Sequence, residues 1–164
     1  MNVVELYSNN YNLLSSNLSG KSSLITFSDP VDEIDMVELI RRKNLLEESL
    51  NQLFRSDEEV QIIFSTEKSE VDLSIFFKKN IQPYETSIYK EVDEEGENFL
   101  FYRTFFKASF YQVNFLELLQ SVITSDFPEY RDSNNFREIN FFSVVSIDGR
   151  KMIEIADDRG YRMM

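Results

Sequence analysis

The chain of 164 residues has 42% hydrophobic residues, 15 Phe and 8 Tyr, but only 4 Gly and 3 Pro. These proportions are typical of a folded core without long linkers, so we predict a single domain over residues 1–164. The chain contains neither Cys nor His. This excludes disulfides, thiolate sites and every catalytic arrangement built on histidine, which leaves carboxylates, Lys and Tyr for any chemistry.

The net charge is −12, and it is unevenly distributed. Residues 29–135 hold 23 acids and 11 bases, whereas the segments before and after them are balanced. A field of this sign repels nucleic acid and anionic membranes and attracts basic partners, although solubility alone explains the excess equally well. The chain has no apolar run long enough to span a bilayer, and its first residues lack the features of a signal peptide. We therefore expect a soluble, cytoplasmic protein that contacts neither nucleic acid nor membrane.

The first elements in chain order are a short helix over residues 2–18 and a short strand over 24–27. A longer helix is predicted to begin after Asp29-Pro30, because Asp caps helices and Pro fits the first turn, and to run to about Phe54. Its apolar face would contain Met36, Leu39, Ile40, Leu46, Leu50, Leu53 and Phe54, with Lys43 and Glu47 intruding. Residues 60–65 are predicted to form a buried strand.

The middle of the chain predicts a β-hairpin and a helix. Residues 69–81 favour a short helix, with a strand as the alternative. Residues 85–92 and 98–110 predict a hairpin with a charged tip, whose second strand has Leu100, Tyr102, Phe106, Ala108 and Phe110 on its inward face. Asn114 and Glu117 have the spacing of a capping box, so a helix is expected from there to the residues before Pro128.

The carboxyl-terminal residues 136–164 predict a β-meander. Two apolar runs meet at Asp148-Gly149, which favours a type I′ turn in which both residues take positive φ, and a second tight turn follows at Gly160. The first strand is apolar on both faces, with Ile139, Phe141, Val145 and Ile147 on one side, so it should be central and covered on both sides. Together the elements predict an α+β fold: a mixed, mostly antiparallel sheet with about three helices packed on it.

Several of these residues resemble the carboxyl end of a bacterial family known as domain of unknown function 3885. The resemblance rests on Asp126-Phe127-Pro128, an apolar strand and then Asp157-Asp158-Arg159-Gly160. Upstream, an Arg at 41 or 42 and the pair Leu53-Phe54 before an acidic turn are similar to that family's helix. The chain departs from the family at Ala156, where the family usually has Tyr. The resemblance implies no enzymatic activity. It implies a small bacterial protein of the toxin-immunity kind.

Two acidic runs are the candidate partner-binding residues: Asp57, Glu58 and Glu59, and Glu91, Asp93, Glu94, Glu95 and Glu97. The second run lacks the alternating ligands of a calcium loop, so we predict neither a metal nor a cofactor. We assign Asp157, Asp158, Arg159 and Gly160 to a structural turn, in which Asp157 bonds backbone N–H groups and Arg159 pairs with Asp158 or a neighbouring strand. Binding of a cation or a partner is the alternative for this turn.

The sequence therefore predicts a non-enzymatic interaction protein of the immunity type, without catalytic residues. It would bind and neutralise a basic bacterial toxin, such as a nuclease, by occlusion, with charge complementarity raising the association rate and buried aromatic side chains slowing dissociation. One alternative is an acidic mimic of nucleic acid, which needs a long continuous acidic face. Another is a carboxylate-dependent metal enzyme, which needs acids that converge in a cleft.

Overall fold

The structure is a computed structural model that describes residues 23–26, 35–92, 94–157 and 160–163. Its strands are β1 (Ser23–Thr26), β2 (Glu59–Thr66), β3 (Glu85–Val92), β4 (Asn98–Ser109), β5 (Phe141–Ser146), β6 (Met152–Asp157) and β7 (Gly160–Met163). Its α-helices within these ranges are α1 (Met36–Leu53) and α2 (Phe115–Ile123), and short 3₁₀ turns span Ser74–Phe76, Phe110–Gln112 and Pro128–Tyr130.

The strands form one seven-stranded sheet in the order β1-β7-β6-β5-β2-β4-β3. Every neighbouring pair of described strands is antiparallel, so the prediction of an α+β fold with a carboxyl-terminal meander is confirmed. The described part of the sheet is not mixed, although the sequence predicts a mixed sheet. The described residues contain two α-helices rather than about three. The helix predicted over residues 2–18 and the Asp29-Pro30 start lie outside the described residues.

The main core lies between the helices and one face of the sheet. Alternation along β2 directs Val60, Ile62 and Phe64 to this face, where each is fully buried. The ring of Phe64 contacts those of Phe76 and Phe106 with centroid distances of 5.6 and 5.7 Å. The helices contribute Leu39, Leu46, Leu50, Leu118, Leu119, Val122 and Ile123. The core therefore depends on contacts between residues that are far apart in sequence.

The other face of the central strands is also buried. Ile63, Phe105 and Ser143 lie there and are fully buried, and every residue of β5 after Phe141 is buried. The prediction that this strand is central and covered on both sides is confirmed. Ile147, which was expected on the same face, lies beyond the end of β5 and is 46% exposed.

Helix α1 differs from its prediction in its start and in its buried face. Asp35 is the N-cap and accepts a hydrogen bond from the N–H of Glu38 at 2.8 Å. Met36 and Ile40 are exposed, while Arg42 is buried. The buried stripe follows i, i+3 and i+4 steps from Leu39, which places position 42 inward. The stem of Arg42 can pack there because its guanidinium bonds Glu38 at 3.0 Å.

Two further predictions about helices are corrected. Residues 69–81 contain a single 3₁₀ turn, because the carboxylate of Asp72 accepts from the N–H of Ser74 at 3.0 Å and Phe77 then bridges to Val113. Helix α2 begins at Phe115 as predicted, but Asn114 makes no capping bond. The backbone N–H of Asn114 instead donates to the carbonyl of Phe76 at 2.7 Å, so tertiary contacts set this helix start.

The Asp148-Gly149 turn joins β5 and β6 but is not type I′. Gly149 has φ 71°, whereas no described residue other than glycine has positive φ. The carboxylate of Asp148 accepts from the N–H of Arg150 at 3.0 Å and from the hydroxyl of Ser146 at 2.7 Å. These bonds stabilise a longer loop, which Ser146 and Lys151 close with a backbone hydrogen bond at 2.9 Å.

Candidate partner-binding site

The hairpin of β3 and β4 projects beyond the rest of the sheet. β4 loses its partner β2 after the pair Thr66–Tyr102, but it continues to pair with β3 as far as Asn98. We call residues 88–92 and 94–102 the arm. Four residues of strand from Tyr102 to Asn98 span about 14 Å. Among the described strands, the outer part of the arm is a ribbon of two strands without a third beside it.

The arm carries exposed apolar side chains. Ile88 and Val92 are each 64% exposed, and Leu100 is 45% exposed. The pairing register places these three residues on the face that carries the helices further along the sheet. We call them the apolar strip. A cluster of exposed aliphatic side chains on one face is typical of a surface that a partner covers.

The tip of the arm is acidic. Glu94, Glu95 and Glu97 are exposed around Gly96, whose φ of 83° allows the tight turn. Glu91 lies opposite Phe99 in the register, but its side chain and the whole of Asp93 lie outside the described residues. The three described acids of this predicted run therefore lie beside the apolar strip.

The second acidic run lies at the opposite end of β4. Glu59 pairs with Ser109, whereas Val92 pairs with Asn98, so the two runs are separated by the whole length of β4. At about 3.4 Å per residue this separation is about 37 Å. The structure does not bring the two groups of predicted binding residues together.

Glu58 in the second run is neutralised within the molecule. Lys151 Nζ lies 2.5 Å from Glu58 Oε1 and also donates to the carbonyl of Leu53 at 3.1 Å. The hydrogen bond from Lys151 is the main cause that lowers the pKa of Glu58 below its ordinary value. Asp57, which is exposed, lies 3.6 Å from Arg55. Lys151 therefore links the end of α1 and Glu58 to the turn after β5, while the partner-binding role of this run stays a prediction.

Further acids lie at the base of the arm. Glu67, Glu70 and Asp72 follow the last residue of β2, at the end of the sheet from which the arm projects, and all three are exposed. Arg137 lies 3.8 Å from Asp72, and the hydrogen bond from the hydroxyl of Ser74 is the main cause that lowers the pKa of Asp72. Lys68 and Arg137 lie among these acids, so the charge at the base of the arm is mixed.

The predicted turn at residues 157–160 lies where the sequence placed it. Asp157 ends β6 and pairs with Gly160 at the start of β7, after a register shift that follows Ile155. Asp158 and Arg159 lie outside the described residues, so the contacts expected for them stay a prediction.

Sequence reasoning missed the apolar strip. It placed Leu100 and Tyr102 on the inward face. The side chains point to that face as predicted, but Leu100 is exposed there. The available signal was a difference in length: β4 has 12 residues and its inner neighbour β2 has 8. Among the described strands, the residues of β4 beyond the end of β2 have no strand partner on that side.

Among the described residues, no helix is long and apolar enough to cross a membrane. The same residues contain no cluster of three or more acids that is suited to hold a metal ion. Comparisons of the chain with protein families, with curated proteins and with solved structures found no match.

Proposed function

We propose that this chain is an interaction protein of the immunity type, which binds a basic bacterial toxin domain with its arm and blocks that domain by occlusion. The observation that carries the proposal is the apolar strip of Ile88, Val92 and Leu100 beside the exposed acids of the tip. The resemblance to the bacterial family 3885 supports the choice of a toxin as the partner. The proposal includes a non-enzymatic, cytoplasmic role.

The two parts of the arm would contribute differently to binding. Burial of the apolar strip removes aliphatic surface from water, and full burial of one such side chain contributes about 1.5–3 kcal/mol. The acids of the tip and of the arm's base attract a positively charged partner and mainly raise the association rate. Exposed acids alone add little affinity, since interactions at the rim of an interface are screened.

The distribution of acids favours this function over a mimic of nucleic acid. A mimic requires carboxylates at regular spacing along one face. Here the two acidic runs lie about 37 Å apart at opposite ends of β4, and Glu58 is engaged by Lys151. A site that combines a short apolar strip with a local acidic tip is suited to a protein surface.

The test is co-expression with each growth-arresting product of the neighbouring genes, with growth and co-purification as the measurements. The unaltered chain should restore growth and co-purify with the toxin. The double variant Ile88→Asp/Leu100→Asp should lose both effects while it keeps a cooperative unfolding transition. Ile147→Asp is the matched control, because Ile147 is 46% exposed in the turn after β5, far from the arm. If the unaltered chain neither restores growth nor co-purifies, the proposal is wrong.

A further inference from the structure

We propose that the partner contributes an extended, basic segment that adds to the sheet as a further strand along β3. This inference rests on the proposed function and specifies how the partner is recognised. In the described part of the chain, β3 is the last strand of the sheet and has β4 as its neighbour on one side. An edge strand presents backbone N–H and C=O groups that a second extended chain can pair with.

The hydrogen-bond pattern identifies the backbone groups that face outward. The N–H of Phe110 donates to the carbonyl of Glu58 at 2.8 Å, so the even-numbered residues of β4 bond toward β2. The odd-numbered residues of β4 therefore bond toward β3. In agreement, the carbonyl of Phe105 accepts from the N–H of Tyr84, just before β3, at 2.9 Å. Through the register, the backbone groups of Thr86, Ile88, Lys90 and Val92 point to the edge.

The edge is continuous and accessible. The pairing of β3 with β4 runs from Glu85 to Val92 without a register shift, whereas the pairing of β6 with β7 is interrupted by one. No proline interrupts β3, and the side chains of the four outward-bonding residues are exposed. Natural edges are usually protected by bulges, prolines, short length or charged side chains, and of these devices this edge has only charged side chains such as Lys90.

Charge selects a basic segment over a second copy of this chain. Each copy carries a net charge of −12, so two edges approach against repulsion. Lys90 is the one base within β3, and it lies between Ile88 and Val92 on the same face. A segment that alternates aliphatic residues with Lys or Arg can place its aliphatic side chains beside Ile88 and Val92 and its bases near Glu94 and Glu95.

The test uses ¹⁵N-labelled full-length chain and a short synthetic peptide that alternates valine and lysine. Addition of the peptide should shift the amide signals of Ile88, Lys90 and Val92 and slow the exchange of those amides with solvent. A peptide that alternates valine and glutamate is the control and should produce neither effect. Equal shifts with both peptides, or shifts confined to residues outside β3, would overturn the inference.

A pair of variants separates the backbone from the side chain. Lys90→Ala removes the charge and keeps the outward N–H, whereas Lys90→Pro also removes the N–H while leaving the bonds to β4 intact. Loss of one backbone hydrogen bond should weaken peptide binding by about tenfold in Lys90→Pro relative to Lys90→Ala. Equal affinities of the two variants would contradict strand addition.

Two further outcomes keep this inference distinct from the proposed function. If the toxin is neutralised equally well by Lys90→Pro and Lys90→Ala, the toxin uses the apolar strip but not the edge, and only the inference fails. If sedimentation of the free protein reveals a dimer that Lys90→Pro abolishes, the edge serves a second copy and the inference also fails. If the peptide binds the edge but the chain restores growth against none of the toxins tested, the edge site is supported and a toxin as the partner is contradicted.

Discussion

An acidic run lies at each end of β4, and the two runs differ in their surroundings. At the end near Ser109, which we call the closed end, Lys151 binds Glu58, and the rings of Phe54 and Phe110 stack with a centroid distance of 5.6 Å. At the other end, the arm leaves its acids and its apolar strip exposed. Whether an acidic run is paired with the body of the protein therefore depends on residues that are far away in sequence.

The largest predicted difference between the body and the arm comes from the same substitution at two places in the sheet. Ile62 is fully buried in β2, while Ile88 in β3 is 64% exposed. Ile62→Ala should lower the free energy of unfolding by about 2–5 kcal/mol, because it removes buried methyl groups and leaves a cavity. Ile88→Ala should change it by less than about 0.5 kcal/mol. Urea unfolding followed by circular dichroism measures both values.

Binding should respond in the opposite order. Ile88→Ala should weaken the affinity for the proposed partner, because it shortens the apolar strip, while the folded fraction of Ile62→Ala should bind normally. A loss of stability in Ile88→Ala as large as that in Ile62→Ala would mean that the arm belongs to the core, and the comparison would fail.

The elements that were predictable are those whose signals are local. The alternation over residues 85–92 and 98–110 placed both strands of the hairpin, and the apolar run after residue 139 placed the central strand β5. Side-chain alternation repeats within a few residues and needs no knowledge of the rest of the chain. The α+β class and the carboxyl-terminal meander follow from the same signals.

The features that were not predictable depend on contacts between distant residues. The pairing of Glu58 with Lys151 joins positions 93 residues apart, so no local signal in the sequence indicates it. The burial of Arg42 and Arg103 likewise depends on which elements pack over each side of the sheet, because the same side chain in isolation is expected at the surface. For the candidate site, the acidic tip was predictable, but the apolar strip required knowledge of where β2 ends.

A smaller effect is expected when one lysine is removed from each end. Lys151 bonds Glu58 and the carbonyl of Leu53 and lies 5.1 Å from the centre of the Phe54 ring. Lys151→Met should lower the free energy of unfolding by about 1–2 kcal/mol, since it leaves a half-buried carboxylate without its cation. Lys90→Met in the arm is the control and should have almost no effect. Thermal unfolding compares the two variants, and equal melting temperatures would remove the distinction between the ends.

The same pair of variants should differ in their response to acid. The pKa of Glu58 lies below its ordinary value of 4.5 because Lys151 donates to it, so its contribution to stability is complete above about pH 4.5 and is lost as the pH falls through the lowered pKa. The unfolded chain binds more protons in this window, so stability rises with pH there. Lys151→Met should reduce this slope and Lys90→Met should keep it. Urea midpoints between about pH 3 and pH 5, a range around the ordinary pKa of Glu, measure the slope.

The smallest predicted effect concerns the glycine in each turn. Gly149 at the closed end and Gly96 in the tip have positive φ values of 71° and 83°, which alanine adopts at a cost of about 1–2 kcal/mol. Gly149→Ala should lower the free energy of unfolding by about 1 kcal/mol, because its turn joins two central strands.

In Gly96→Ala the added Cβ meets no atom within 4 Å, so backbone strain is the whole cost. The tip can relieve that strain by opening locally, since none of the other described strands pairs with the outer part of the arm. The global loss should therefore stay below about 0.5 kcal/mol. Amide exchange should reveal the opening as faster exchange at Glu91 and Phe99, the paired residues nearest the tip, with unchanged exchange in β2. An equal loss of stability in both variants would mean that the arm unfolds together with the body.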